Sequence, residues 1–295
     1  EKIFMQKILI TGGAGFIGSA IISSLADGYE IFVIDNLSFG TREYIPRILD
    51  NHFFEEDIRN PAVIKKIVND INPDWIIHLA AIHFIPYCNE QPFMSSDVNI
   101  RGTMNVLDAA TSCANLKKVF FASTAAVYPI SDEAVSEDNT IEPLDIYGLS
   151  KHVGEKLCKL FHLETKLPVI VCRFFNAFGP NETNPHLIPE IQDQINEGKR
   201  TINLGNLAPK RDFIHTYDMA RAVEMLMESN LDGINTFNLG RGLEYSVKEI
   251  VESFERQLGE KIVINVDPER VRKTDRMHLL ADVSKLKSAV GWEPK

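Results

Sequence analysis

The chain has 295 residues, 44% of them hydrophobic, with 31 Lys and Arg against 41 Asp and Glu for a net charge of −10. That composition buries a large core, in one large domain or two lobes, and excludes disorder; the acidic balance argues against nucleic acid as the main partner, while leaving room for a local basic pocket that binds phosphates. No secretory apolar segment precedes the first strand and no apolar run approaches the roughly 20 residues needed to cross a bilayer, so a soluble, cytoplasmic protein with no membrane partner is expected.

Glu1 to Phe4, ahead of Met5, read as a leader or an expression remnant. Strands are predicted at Lys7–Thr11, Glu30–Asp35, His52–Glu55, Trp75–Leu79, Lys118–Ser123 and Val169–Phe174, with helices between them. This alternation is that of an α/β protein with a doubly wound parallel sheet. Pro168, Pro180, Pro185 and Pro189 then mark a change of texture. Shorter elements follow: a helix over Pro189–Glu197, a strand near Thr201–Leu204 and helices from Tyr217 and Ser246. The expected division is a dinucleotide-binding domain over 1–175, to which the chain returns near 211–230, and a smaller α/β lobe made mainly of 176–295. Cys88, Cys113, Cys158 and Cys172 have no C-x-x-C or metal-ligand spacing, so they read as reduced thiols and no metal is expected.

Two local patterns carry chemistry. Gly12, Gly15 and Gly18 recur at intervals of three between the first strand and a helix over Phe16–Leu25. Glycines there let the backbone turn tightly and approach a pyrophosphate, whose charge meets the N–H groups at the helix start. The second strand ends in Asp35, placed to hold the hydroxyls of an adenosine ribose. Its charge repels a 2′-phosphate and no Arg follows at once, which favours NAD over NADP. The second pattern is Tyr147 and Lys151, four residues apart and so on one face of a helix. An ammonium beside the phenol, together with an oxidised nicotinamide, is expected to lower the tyrosine from its usual pKa near 10. Tyr147 then becomes a proton acceptor for a substrate hydroxyl.

With these residues in view, the chain resembles the extended short-chain dehydrogenase/reductase family, in its NAD-dependent nucleotide-sugar epimerase and dehydratase branch. The resemblance rests on T-G-G-A-G-F-I-G at 11–18, D-N-L-S-F-G at 35–40, D-I-R at 57–59, H-L-A-A at 78–81, N-I-R-G-T at 99–103, Y-G-L-S-K at 147–151, R-F-F-N-A-F-G-P at 173–180 and R-D-F-I-H-T-Y-D-M-A at 211–220. It implies a Rossmann-type sheet with a C-terminal substrate lobe. Cofactor contacts are implied at Gly12, Gly15, Phe16, Ile17, Gly18, Asp35 and Asn36, at Asp57 and Ile58 around the adenine, and at Leu79, Ala80 and Ala81. Ser123, Phe174, Tyr147 and Lys151 complete that set, with Asn99 supporting the site by hydrogen bonding from a helix start. Thr124 falls at the catalytic Ser/Thr, with Ser123 the competing hydroxyl. Asn176 is matched to a contact with the nucleotide diphosphate, Arg211 to phosphate or ribose, and Arg272 with Asp275 to the substrate-binding R-x-x-D near the C-terminal lobe, so that two arginines converge on the diphosphate; Leu187 and Leu204 are matched to the nucleobase.

Dehydratases of this branch usually place an Asp-Glu pair directly after the threonine, and Ala125 and Ala126 stand there instead. The resemblance therefore implies an NAD-dependent 4-epimerase of a UDP-hexose (UDP-glucose, UDP-N-acetylglucosamine or UDP-glucuronate), acting through a 4-keto sugar. A dehydratase, decarboxylase or reductase is the alternative, and a non-catalytic dinucleotide sensor a third reading. His83, within a bulky loop from His83 to Tyr87, is expected beside the sugar, and His186, where relatives often carry Asn, at the sugar or the phosphates. Leu279 stands where relatives vary side-chain size beside the sugar. Relatives usually continue past the final Gly-Trp-Glu-Pro-Lys into another helix, so a shortened C-terminus is expected. Helices around Asn99 to Ala110 and Lys151 to Phe161 are expected to form a homodimer interface.

Overall fold

The computed structural model describes residues 5–271 and 276–295. Its first half alternates strand and helix: β1 (Lys7–Thr11), α1 (Phe16–Leu25), β2 (Glu30–Ile34), β3 (Phe53–Phe54), α2 (Pro61–Ile71), β4 (Trp75–His78), α3 (Ile85–Glu90), α4 (Pro92–Ser96), α5 (Thr103–Thr111), β5 (Lys118–Thr124), α6 (Ile146–Thr165) and β6 (Val169–Phe174). Then come β7 (Asn176–Phe178), α7 (Leu187–Asn196), β8 (Thr201–Leu204), β9 (Lys210–His215), α8 (Thr216–Glu228), β10 (Ile234–Leu239), β11 (Glu244–Ser246), α9 (Val247–Leu258), β12 (Val263–Val266) and α10 (Ser284–Val290).

Seven strands form one parallel sheet in the order β10-β6-β5-β4-β1-β2-β3. Side chains alternate across a strand, and β1 shows the result. Ile8 and Ile10 pack with Ile21, Ile22 and Leu25 of α1 and Met219, Val223 and Leu226 of α8. Leu9, between them, packs on the other face with Ile64 and Val68 of α2, Val106 of α5 and Phe161 of α6. Helices thus cover both faces, which is why these strands read as nearly continuous apolar runs. Leu286 and the fully buried Trp292 join the α1–α8 side, so the C-terminal segment packs on the large sheet.

The seventh strand, β10, lies beyond the elements foreseen from sequence. Its Asn238 interrupts the apolar pattern because that side chain works inside the fold. Its Oδ1 accepts from the Tyr128 hydroxyl at 2.6 Å and its Nδ2 donates to the Val135 carbonyl at 2.8 Å. The small lobe centres on Ile191 and Ile195 of α7, Ile202 and Leu204 of β8, and Val247 and Val251 of α9. Helix α7 starts at Leu187, two residues ahead of the expected Pro189, since proline is tolerated in a first turn whose N–H groups have no intrahelical partner. Between α4 and α5 the chain widens into a π-helical turn, Asp97–Gly102, which carries Asn99. No described helix is long and apolar enough to cross a membrane.

Candidate active site

A cavity of about 980 Å³ opens at the carboxyl ends of the strands, where the sheet order reverses between β1 and β4, and extends toward the small lobe. This is where open α/β sheets hold ligands. Gly12, Gly15, Phe16, Ile17 and Gly18 border it. Gly12 has φ +74, and a Cβ on it would lie 2.6 Å from the Ala80 nitrogen; one on Gly18 would lie 2.4 Å from the Gly12 carbonyl oxygen. Only glycines fit, and the tight turn they allow aims the first N–H groups of α1 into the cavity.

Asp35 sits just past β2, its carboxylate accepting from the Ala14 nitrogen at 3.0 Å and the Leu37 nitrogen at 2.8 Å. Burial pushes its pKa up and these two N–H groups act against that rise. Asn36 donates to Asp57 at 3.0 Å, and the Arg59 guanidinium grips the same carboxylate and holds it at about 2. Leu79, Ala80, Ala81 and Ile58 complete this end. Among the cavity residues between Ile34 and Ile58, three are acidic (Asp35, Glu56, Asp57) and none is basic. A 2′-phosphate would be repelled there, whereas free ribose hydroxyls find acceptors.

At the other end, Thr124 closes β5 and its Oγ accepts from the Ala126 nitrogen at 3.1 Å. Tyr147 and Lys151 project from α6, which Asp145 caps by accepting from the Gly148 nitrogen at 2.7 Å. Burial drives the Tyr147 phenol well above its usual value, the Thr124 hydroxyl acts to lower it, and Cys88 and Asp145 add to the rise. Among the protein's own groups burial dominates, and the expected lowering rests on the oxidised nicotinamide together with the ammonium. Lys151 donates to the Ala122 carbonyl at 2.8 Å, and its own burial depresses it to about 8.

Asn99 does not border the cavity and lies behind its wall, where it makes hydrogen bonds that support the site. Its Oδ1 accepts from the Ile82 nitrogen at 2.8 Å, while its Nδ2 donates to the Ile82 carbonyl at 2.9 Å and to the Ser150 hydroxyl at 3.0 Å. Ser150 in turn donates to the Tyr147 carbonyl at 2.7 Å. Asn99 thereby ties the loop after β4 to the helix bearing the phenol. Ser123 borders the cavity, but its hydroxyl turns into the wall to donate to Glu155 at 2.5 Å.

Phe174, Asn176, His83, His186, Leu187, Arg211 and Leu279 all border the cavity. Leu204 does not: it shares a face of β8 with Ile202, and both are buried in the small-lobe core. Arg272 and Asp275 lie outside the described residues. Arg270 and Arg276, flanking them, line the cavity and were missed from sequence; the basic run around 270–276 was the available signal. The Arg276 guanidinium donates to the Pro129 carbonyl at 2.8 Å, and Arg211 reaches the Arg276 carbonyl at 2.7 Å. Glu182, also missed, is a buried acid in a proline-rich stretch that reads as surface loop.

A doubly wound sheet with a glycine turn at its switch point, and a Tyr-Lys helix facing a strand-end threonine across the same cavity, defines an extended short-chain dehydrogenase/reductase. The chain belongs to the family described as GDP-mannose 4,6 dehydratase, which matches residues 9–295, within the nucleotide-sugar epimerase and dehydratase branch. It is 32% identical to a putative UDP-glucose 4-epimerase of Methanocaldococcus jannaschii, over 98% of this chain and 93% of that protein. Among solved structures it is similar to UDP-glucose 4-epimerase of Thermus thermophilus in complex with NAD, at TM-score 0.88 and 28% identity over 98% of this chain and 94% of that one. A UDP-glucuronic acid 4-epimerase of Bacillus cereus, in complex with NAD and UDP-4-deoxy-4-fluoro-glucuronic acid, is as similar: TM-score 0.88, 28% identity and the same coverage of 98% and 94%.

Proposed function

We propose that the chain is an NAD-dependent 4-epimerase of a UDP-hexose. The observation that carries this reading is the wall beside the catalytic residues: Thr124 and Tyr147 share the cavity with the methyl groups of Ala125 and Ala126. Eliminating water from a sugar needs an acid and a base positioned for that purpose, while inverting C4 needs one proton carrier and a hydride partner. Relatives of matching architecture are 4-epimerases with NAD bound. The glycine turn and Asp35 suit the pyrophosphate and ribose of NAD.

When bound, NAD+ supplies a hydride acceptor for C4 and a positive charge that favours the Tyr147 phenolate. Tyr147 takes the O4 proton while Thr124 donates a hydrogen bond to the same oxygen. Lys151, held on Ala122, keeps the helix in register with β5 and adds positive charge nearby. Once the 4-keto sugar has presented its opposite face in the cavity, Tyr147 would return the proton to O4. Asn176 and Arg211, with Arg270 and Arg276 beside them, hold the diphosphate, because guanidinium groups bind phosphate oxygens in pairs, and Leu187 flanks the nucleobase.

This reading keeps a dinucleotide domain over 1–175, a return near 211–230, and a substrate lobe made mainly of 176–295, with β10 and the segment ending in Trp292 packed on the large sheet. Four buried, unpaired thiols support a cytoplasmic setting. The test is incubation with UDP-glucose, UDP-N-acetylglucosamine and UDP-glucuronate without added reductant, with products separated and weighed. A new species of unchanged mass that reaches the same ratio from either epimer is expected. Loss of water or of carbon dioxide would move the assignment to the dehydratase or decarboxylase reading.

A further inference from the structure

Resting on the epimerase reading, we propose that Glu182, His186 and His83 form a sugar-reading wall that accepts a hexose uncharged at C6 and rejects a uronate. The three side chains border the cavity and come from two separate loops, one following β4 and one between β7 and α7. Glu182 has a side chain only 5% exposed, and its carboxylate accepts from Nδ1 of His186, whose side chain remains 41% exposed. The second oxygen of Glu182 has no protein donor among the described residues, which leaves it to accept from a sugar hydroxyl.

His83 has its protonation set by its partner. The Asn184 amide nitrogen lies 2.9 Å from His83 Nε2. An amide NH2 can only donate, so Nε2 is the acceptor and the ring proton sits on Nδ1. Burial, with the nearby charges of His186 and Lys151, pushes this imidazole down to about 4. At neutral pH His83 is therefore a neutral hydrogen-bond donor. That Lys151 acts on it puts the ring near the catalytic helix, and the His83 and His186 ring centres are 6.2 Å apart.

The charge balance of the wall decides the specificity. One carboxylate, one neutral imidazole and one imidazole committed to that carboxylate line it, and the ammonium of Lys151 nearby is held on the Ala122 carbonyl. A sugar hydroxymethyl finds an acceptor in Glu182 and a donor in His83. A C6 carboxylate would meet a like charge in a half-buried site, where repulsion is screened far less than in water. The cavity arginines 211, 270 and 276 stand on or beside β9 and β12, with the groups already matched to the diphosphate.

The test is calorimetric titration of NAD-loaded Tyr147→Phe, whose turnover is strongly lowered, with UDP, UDP-glucose and UDP-glucuronate. UDP-glucose is expected to bind more tightly than UDP, and UDP-glucuronate roughly 100-fold more weakly than UDP-glucose. Adding Glu182→Gln should narrow that gap, chiefly by tightening UDP-glucuronate, with NAD content unchanged. Equal or tighter binding of UDP-glucuronate to the single variant overturns the proposal, and so does a gap that Glu182→Gln leaves intact. The wild-type turnover assay tells the two ideas apart: turnover of UDP-glucuronate at a rate matching UDP-glucose sinks only the specificity wall, whereas no epimerisation of any sugar removes both.

Discussion

Arg173 of β6 grips Glu155 of α6 through two parallel hydrogen bonds, Nε to Oε1 and Nη2 to Oε2, both 2.9 Å, inside the protein. The Ser123 hydroxyl donates to the same carboxylate, and Arg173 also donates to the Tyr128 hydroxyl at 2.9 Å. Glu155 stands one helical turn beyond Lys151, and Ser123 adjoins Thr124. Glu155 thus ties the helix that carries the phenol and the ammonium to β6 through Arg173 and, through Ser123, to the strand that carries the threonine.

Cutting one side of this pair should cost more than removing both. Glu155→Gln leaves a buried guanidinium without its counter-charge, for which a loss of roughly 3–5 kcal/mol in denaturant unfolding is expected. Glu155→Gln combined with Arg173→Met should be less destabilised than the two single variants added together, since neither charge is then stranded. Strict additivity would show that the pair does not act as a unit.

Tyr147→Phe should lower turnover by roughly 10²–10⁴-fold while retaining bound NAD, because only the proton carrier is removed. Lys151 makes a separate prediction about pH. Its folded pKa, about 8, lies below the unfolded value of about 10.5, so between these two the unfolded chain holds more protons and stability rises with pH. Lys151→Met should accordingly be more stable than the parent at pH 7, by up to roughly 3 kcal/mol at about 1.4 kcal/mol per pKa unit. The advantage should shrink as pH approaches 10. Parallel pH profiles for the two proteins would refute the buried, depressed ammonium.

His78 is read by its neighbours into a single tautomer. Thr103 spends its hydroxyl proton on the Asn99 carbonyl at 2.7 Å, so His78 Nε2, 2.9 Å away, must donate to it. Nδ1 then accepts from the Thr11 hydroxyl at 2.6 Å. Burial, with Lys151 nearby, lowers this histidine to about 3. Nitrogen-15 NMR at neutral pH should find the proton on Nε2 of His78. Since His78 and His83 both have folded pKa values below the unfolded one, the unfolded chain takes up more protons below about pH 6.5. Stability conferred by these neutral rings is present above that pH and is lost as pH falls toward 4. Asp212, raised to about 6 by burial, acts in the opposite sense over about the same range. His83→Asn should therefore flatten the acid limb of the stability curve.

Legibility in the sequence followed the range of the interaction. The glycine turn and the Tyr147–Lys151 spacing are local backbone facts and were readable directly. Strand β10 was not, because Asn235 and Asn238 break its apolar run and its place beside β6 is a long-range pairing. Leu204 illustrates a signal that was present and unused: Ile202 and Leu204 share parity on β8, so a core role for one implies it for the other. Glu182 gave no such signal, since an acid among Pro180, Asn181 and Pro185 looks solvated until the loop folds back over His83.

Helix α6 exposes an apolar stripe that soluble monomers rarely leave open. Leu149, Leu160 and Leu163 are 47%, 61% and 53% exposed, and Met104 on the adjacent α5 is 50% exposed. At 100° per residue the three leucines fall on one face, along roughly 20 Å of helix. Two such helices from one chain, facing their copies across a two-fold axis, would bury the stripe in a four-helix packing. A homodimer is the expected state in light scattering. Leu160→Glu should shift it to monomer at micromolar concentration, because the twofold places a like charge near its own copy and desolvates both. The catalytic cavity lies on the far side of α6 from this stripe, so the monomeric variant should keep its bound NAD. A monomeric wild-type protein, or a Leu160→Glu dimer of unchanged affinity, would move the interface to another face.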